Sequence, residues 1–66
     1  MTIGQNIRKL RGTRSQVAVC CRVKPIRMDQ PNWARLEADR GNPTEATLRR
    51  VAEALGCTFA DLFEGV

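Results

Sequence analysis

The chain of 66 residues contains no histidine and no tyrosine, and it has no long run of apolar residues. Without histidine it lacks the commonest general base of enzymes and one ligand of a mixed cysteine–histidine zinc site. No nucleophile and base stand at a recognisable spacing either, so we expect no enzyme, no cofactor and no metal. A single Trp and two Phe residues also offer little of the stacking surface that RNA-binding domains use.

The three cysteines are an odd number and lack the C-x-x-C spacing of a metal or redox site. Cys20 and Cys21 are adjacent and cannot easily bridge each other, and Cys57 stands alone. We interpret all three as small buried hydrophobic residues of a reduced compartment. Because no secretory signal or long apolar stretch precedes them, the sequence predicts a cytoplasmic protein that makes no contact with membranes.

The charged residues are unevenly distributed along the chain. Residues 1–28 contain seven Lys or Arg and no acid, whereas residues 29–66 contain four Arg and seven acids, so +7 and −3 make up the total of +4. A basic region of this kind attracts a polyanion. No segment combines a basic face with a strong aromatic or leucine face, which favours nucleic acid over a membrane surface as the partner.

Helix signals account for nearly the whole chain, and its length allows one domain over residues 1–66. Four predicted helices begin after a Ser or Thr that can act as an N-cap, and two of them end at a glycine. The caps are Thr2, Ser15, Thr44 and Thr58, and the glycines are Gly12 and Gly56. Mid-helix Arg49 and Arg50 are interpreted as solvated charges.

The third predicted helix runs from about Gln30 to Ala38. Asp29 is a suitable N-cap, and Pro31 stands in the first turn, where its missing N–H costs nothing. Trp33 and Leu36 lie on one face, which would point to the core. The side chains that then point elsewhere are Gln30, Asn32 and Arg35. Such amide and guanidinium groups are typical of a helix that reads base edges in DNA, but from these residues alone a solvated polar face is an equally good interpretation.

Four segments, in order, resemble the phage-repressor-type helix-turn-helix family, also described as xenobiotic-response-element-like regulators. They are Ile3-Gly4…Ile7-Arg8-Lys9-Leu10-Arg11, Gln30-Pro31-Asn32-Trp33-Ala34-Arg35-Leu36-Glu37, Gly41-Asn42-Pro43-Thr44 and Thr47-Leu48…Val51-Ala52-Glu53-Ala54-Leu55-Gly56, followed by Asp61-Leu62-Phe63. The match covers nearly the whole chain. One departure is the longer connection Lys24–Met28, which replaces the usual tight turn between helices two and three.

The resemblance implies a compact, all-α, five-helix domain of the lambda-repressor type that binds double-stranded DNA and regulates transcription. Helix three would enter the major groove, where Gln30, Asn32 and Arg35 would read bases. Phosphate contacts would come from Gln16, Arg27, Arg40 and Asn42. For any single arginine a solvated surface charge is an equally good interpretation.

The resemblance also assigns two structural features. Glu37 resembles a family carboxylate that pairs with the arginine ending helix one, here Arg11. Phe59, Leu62 and Phe63 resemble a two-fold interface, which implies a homodimer on an inverted repeat, and a contact with RNA polymerase is allowed. The alternative is a protein-interaction module, such as an antitoxin or anti-regulator, that binds a protein through the apolar C-terminal helix.

Overall fold

Four α-helices followed by one 3₁₀ helix make up the computed structural model, which describes all of residues 1–66. The helices are α1 (Ile3–Arg11), α2 (Gln16–Cys20), α3 (Gln30–Glu37) and α4 (Glu45–Leu55), and the 3₁₀ helix spans Phe59–Phe63. There is no strand, which confirms the all-α prediction. None of the helices has the length and apolar character needed to cross a bilayer.

The last helix differs from its prediction. A fifth α-helix is predicted after Thr58, but Phe59–Phe63 forms a 3₁₀ helix instead. Its capping box is present as predicted, because the Thr58 hydroxyl accepts from the Asp61 amide and the Asp61 carboxylate accepts from the Thr58 amide. The tighter winding has a simple reason: five residues complete little more than one turn before Gly65, and short terminal turns commonly adopt i→i+3 hydrogen bonds.

Local capping sets where the other helices begin. The hydroxyls of Thr2, Ser15 and Thr44 each accept a hydrogen bond from a backbone amide in the first turn of the helix that follows. These predicted caps are therefore confirmed. Asp29 occupies the N-cap position of α3, but its carboxylate accepts no capping hydrogen bond. The prediction that Asp29 caps α3 through its side chain is wrong.

The core lies between α1, α3 and α4 and is closed by α2 and the 3₁₀ helix. Trp33 is fully buried at its centre, and so are Ile7, Val19, Val51 and Leu62. The predicted inner face of α3 is thus confirmed at Trp33, and Leu36 is half-buried. The cysteine prediction holds for Cys20, which is buried, but not for Cys21, which is exposed. Burial raises the pKa of the Cys20 thiol and of the half-buried Cys57 thiol.

α1 and α3 approach each other closely at Gly4. A Cβ atom at this position would lie 2.6 Å from the carbonyl oxygens of Leu36 and Glu37. The chain leaves α3 through Asp39, which has a left-handed φ of 59°. The Asp39 carboxylate accepts from the Thr2 hydroxyl at 2.6 Å and from the Gly4 amide at 2.8 Å. Asp39 therefore fastens the end of α3 to the start of α1.

The long connection between α2 and α3 is held against α4. Arg50 donates from Nε to the carbonyl oxygen of Lys24 and from its terminal nitrogen to that of Ile26, both at 2.7 Å. The Lys24–Pro25 peptide bond between them is cis. The interpretation of Arg50 as a solvated charge is therefore wrong, because its guanidinium satisfies backbone carbonyls of a segment that has no helix of its own.

Candidate nucleic-acid interface

A groove of about 390 Å³ opens beside α3 and is bounded by the connection before that helix, the loop after it and the start of α4. Most of the residues that line it are polar, and Met28 and Leu36 are its two hydrophobic residues. The polar side chains that line it are Arg27, Asp29, Asn32, Arg35, Arg40, Asn42, Thr47 and Arg50. Four arginines therefore face one aspartate across this groove, which makes it strongly positive.

Five of the seven side chains predicted to contact DNA line this one groove. Asn32 and Arg35 come from the predicted base-reading set, and Arg27, Arg40 and Asn42 come from the predicted phosphate set. All five are exposed. None of them makes a side-chain hydrogen bond, and neither of the two ion pairs in the structure includes one of them. Their donors are consequently free to meet a ligand.

The groove takes its charge from both parts of the chain. Arg27 precedes α3, whereas Arg35 and Arg40 belong to the second part, whose net charge is negative in sequence. Most acids of that part are used inside the domain, since Glu37, Asp39, Glu45 and Asp61 accept hydrogen bonds from neighbouring groups. Arginines and acids are interspersed along this part of the sequence. In the folded domain most of the acids are hydrogen-bonded to neighbouring groups, whereas Arg35 and Arg40 have free side chains at the groove.

The other two predicted residues lie on a different side of α3. The Gln30 side chain donates from Nε2 to Oε1 of Gln16 at 2.7 Å, and Gln16 donates from its own Nε2 to Glu37 at 3.1 Å. Gln16 is half-buried and Gln30 is exposed. These two glutamines form a chain that ends on a carboxylate, and they are not part of the groove.

On this other side of α3, Glu37 accepts most of the hydrogen bonds. Arg11 donates to it twice, from Nε at 2.7 Å and from its terminal nitrogen at 3.0 Å, and the indole N–H of Trp33 donates to it at 2.6 Å. Only 7% of the Glu37 side chain and 18% of the Arg11 side chain are exposed. The ion pair implied by the family resemblance is present.

The pKa of Glu37 reflects two opposing influences. Burial alone would raise it, but hydrogen bonds from Arg11, Trp33 and Gln16, together with the positive charge of Arg11, hold the pKa of Glu37 below its ordinary value. The same pair raises the pKa of Arg11, mainly through its hydrogen bonds to Glu37. Both groups are thus held in their charged forms.

The predicted dimer residues do not share one exposed surface. Leu62 is fully buried inside the domain, so the assignment of Leu62 to an interface is wrong: its side chain fills the core between α1 and α4. Phe59 is half-buried, with its ring 5.0 Å from that of Phe63 and with the Arg49 guanidinium 4.3 Å above it. Phe63, 37% exposed, is the most accessible of the three.

Three polar residues of the groove are missing from the sequence-based set: Asp29, Thr47 and Arg50. Asp29 is predicted only as a helix cap, and Arg50 only as a solvated charge, yet both line the groove. A signal for Asp29 exists in its position directly before the predicted reading helix. Arg50 gives no local signal, because its partners at Lys24 and Ile26 are more than twenty residues away. No three His, Cys, Asp or Glu side chains are grouped closely enough to hold a metal ion.

Neither protein-family models nor curated proteins provide a significant match to this chain. The candidate site is therefore defined by its geometry alone. It is a positive groove beside α3 whose lining includes free guanidinium and amide groups.

Proposed function

We propose that this protein is a sequence-specific regulator that binds double-stranded DNA and inserts α3 into the major groove of an operator. The fold would be a helix-turn-helix domain of the lambda-repressor type, with α2 and α3 as the DNA-binding unit and the 3₁₀ helix as its fifth element. One observation carries the proposal: the free Asn and Arg side chains that line the groove beside α3.

The dimensions of α3 suit this role. An α-helix with its side chains is about 10–12 Å in diameter, and B-DNA has a major groove about 12 Å wide. Asn32 and Arg35 stand three apart and are neighbours on the helix surface. An Asn side chain pairs well with adenine and an Arg side chain with guanine, each through two hydrogen bonds. We propose that these two residues read adjacent base pairs.

Residues at both ends of α3 would clamp the DNA backbone. Arg27 precedes the helix, and Arg40 and Asn42 follow it, so the three flank the reading residues on the same groove. Phosphate contacts of this kind fix the register of a protein on the duplex and supply most of its salt-dependent affinity. Gln30, exposed at the first turn and held by Gln16, would add a third base contact beside this set.

A homodimer on an inverted repeat and a contact with RNA polymerase remain proposals for the same regulator in the cytoplasm. Of the side chains that the resemblance assigns to the dimer interface, Phe63 is the most accessible and Phe59 lies against it. Sedimentation equilibrium of the wild type and of Phe63→Ser at micromolar concentration tests the dimer. Dimers of the wild type and monomers of the variant are expected, and a monomeric wild type that binds its operator normally would refute the dimer.

The DNA proposal is tested by selecting ligands from a random duplex library. The wild type should enrich a defined motif, and its affinity for that motif should fall steeply with salt. The triple variant Gln30→Ala, Asn32→Ala, Arg35→Ala should keep its helical spectrum and melting temperature but enrich no motif. Lys9→Ala removes the same single positive charge from an exposed position outside the groove, and it should enrich the wild-type motif.

Two results would refute the proposal. The first is a folded triple variant that still selects the wild-type motif. The second is a wild type that binds no duplex at low salt, which would favour the alternative, a protein-interaction module that keeps the fold and grips a protein partner.

A further inference from the structure

The carboxylate of Asp29 is unpartnered at the edge of the positive groove. Asp29 has the extended backbone of an N-cap residue, with φ −71° and ψ 142°, yet its side chain accepts no bond from α3. In each of the other four helices the N-cap side chain does accept such a bond. Asp29 also forms no ion pair, because the only two in the domain are Arg11–Glu37 and Arg49–Glu45.

A free negative charge in this place opposes non-specific DNA binding. The other charged residues that line the groove are all arginines, and a phosphate brought close to Asp29 would be repelled by its carboxylate. The repulsion is offset only where the DNA offers a hydrogen-bond donor to the carboxylate. In the major groove the only base donors are the exocyclic amines of cytosine and adenine.

We propose that Asp29 is a specificity-determining residue that accepts a hydrogen bond from the N4 amine of a cytosine. This inference rests on the proposed DNA-binding function and adds one base to its readout. Cytosine is preferred over adenine because adenine places its N7 acceptor beside the amine, where it faces the second carboxylate oxygen. Guanine and thymine present O6 and O4 acceptors, which repel a carboxylate, so Asp29 selects against them as well as for cytosine.

The position of Asp29 on the chain is consistent with this role. It directly precedes α3, so it stands one turn before Asn32 on the same groove. In a helix that enters the major groove, the residues at the N-terminal end are the ones that approach the base edges. Asp29 would therefore read the base pair that lies nearest the first turn of α3, at one end of the DNA-binding site.

The test compares the wild type with Asp29→Asn in selections from a random duplex library. Asparagine retains the size of the side chain and the ability to cap a helix, so the fold is preserved. The wild type should enrich a motif with cytosine at one position that Asp29→Asn leaves open or changes to adenine. Replacing that C·G pair should weaken wild-type binding roughly 10-fold or more and affect Asp29→Asn about 2-fold or less.

A matched control removes a carboxylate elsewhere. Glu53 is exposed on α4 and does not line the groove, so Glu53→Gln should enrich the wild-type motif, cytosine included. The proposal is overturned if Asp29→Asn keeps the wild-type preference at every position and merely binds all duplexes more tightly, or if the wild-type motif contains no selected cytosine. A wild type that enriches no motif at all is a different result, because it refutes the proposed function itself.

Discussion

α3 has two polar sides, and they differ in whether their side chains are satisfied within the domain. On one side Glu37 accepts from Arg11, Trp33 and Gln16, and Gln16 in turn accepts from Gln30. On the other side the exposed side chains that line the groove have no hydrogen-bond partner in the domain. We call these the paired side and the open side.

The difference separates residues that hold the fold from residues that are available to a ligand. A carboxylate held by four donors and largely withdrawn from water is costly to disturb, because removing a partner leaves a charge without compensation. Exposed arginines without partners contribute little to stability, so their removal should affect binding alone. Apart from Gln30, which is exposed and for which we also propose a base contact, and Arg50, substitutions on the two sides should therefore divide between unfolding measurements and binding measurements.

The paired side should be most sensitive at Arg11. Arg11→Ala leaves Glu37 without its charge partner, and the free energy of unfolding should fall by about 3 kcal/mol. For a domain of this size the melting temperature should then drop by on the order of 10–20 °C. The matched control is Arg49→Ala, whose partner Glu45 is 69% exposed and whose removal should cost about 1 kcal/mol or less.

An unchanged melting temperature for Arg11→Ala, accompanied by weaker DNA binding, would contradict this division. Arg11 would then belong functionally to the open side, despite its two hydrogen bonds to Glu37.

Gly4 tests the close approach of α1 and α3 that supports the paired side. Glycine in a helix is ordinarily less stable than alanine, so a free surface position would gain stability from Gly→Ala. Here the added Cβ would meet backbone carbonyls of Leu36 and Glu37, and Gly4→Ala should instead lower the free energy of unfolding by about 1–3 kcal/mol. Arg8→Ala, exposed on the same helix, should change it by less than about 0.5 kcal/mol. Urea titration of the variants measures whether the free energy of unfolding rises or falls.

Acid should weaken the paired side through Glu37. Because the folded pKa of Glu37 lies below its unfolded value, its contribution to stability is complete above the unfolded pKa, about 4.3 for glutamate, and is lost as the pH falls through the folded pKa. Glu37→Gln lacks this contribution at every pH. The unfolding free energies of the wild type and Glu37→Gln should therefore differ at pH 7, and the difference should shrink as the pH falls below about 4.3; a difference that stays constant as acid is added would contradict the assignment.

Arg50 connects stability to the open side. Arg50→Ala removes two hydrogen bonds that hold the carbonyl oxygens of Lys24 and Ile26, next to Arg27. The substitution should cost about 1 kcal/mol in unfolding free energy, because these carbonyls are solvated once released. Binding of the selected DNA should weaken as well, since Arg27 is then less firmly placed. Arg22→Ala is the control, because the Arg22 side chain is exposed and makes no hydrogen bond, and it should leave the unfolding free energy unchanged.

The smallest effect on stability is expected for Arg40, on the open side. Arg40→Ala should change the unfolding free energy by less than about 0.5 kcal/mol. If Arg40 binds a phosphate, its replacement should weaken binding similarly for all sequences and reduce the slope of log affinity against log salt by about 1. A slope equal to that of the wild type would show that Arg40 is a solvated charge.

Short-range signals predict much of the paired side and of the fold. The N-caps Thr2, Ser15 and Thr44 act over three residues, and the apolar spacing of α4 is complete within that helix, so both can be recognised without the tertiary structure. Trp33 is placed in the core by the same periodicity. The Arg11–Glu37 pair spans 26 residues, and only the family resemblance predicts it.

Other features depend on contacts that local spacing does not encode. Leu62 stands between two phenylalanines in an apolar C-terminal segment that resembles a dimer interface. In the folded domain, however, the Leu62 side chain is fully buried in the core. Asp29 has the residue type and position of a cap, and only its orientation in the fold leaves the carboxylate free. Gln30 is an outward side chain in the pattern of α3, and α2 supplies the partner that holds it.

The sequence alone is enough to predict where the helices begin, which of their faces are apolar and that the chain has an excess of positive charge. These properties depend only on composition and on residues within a turn or two of one another. Which charges are neutralised inside the domain, and which remain free, depends on the packed chain. Arg27, Arg35 and Arg40 come from three segments and converge on one groove, whereas Glu37 and Asp39 accept hydrogen bonds from residues of α1. That sorting arises from packing the helices around a common core that includes Trp33, since only the packed arrangement brings distant donors and acceptors within hydrogen-bonding distance.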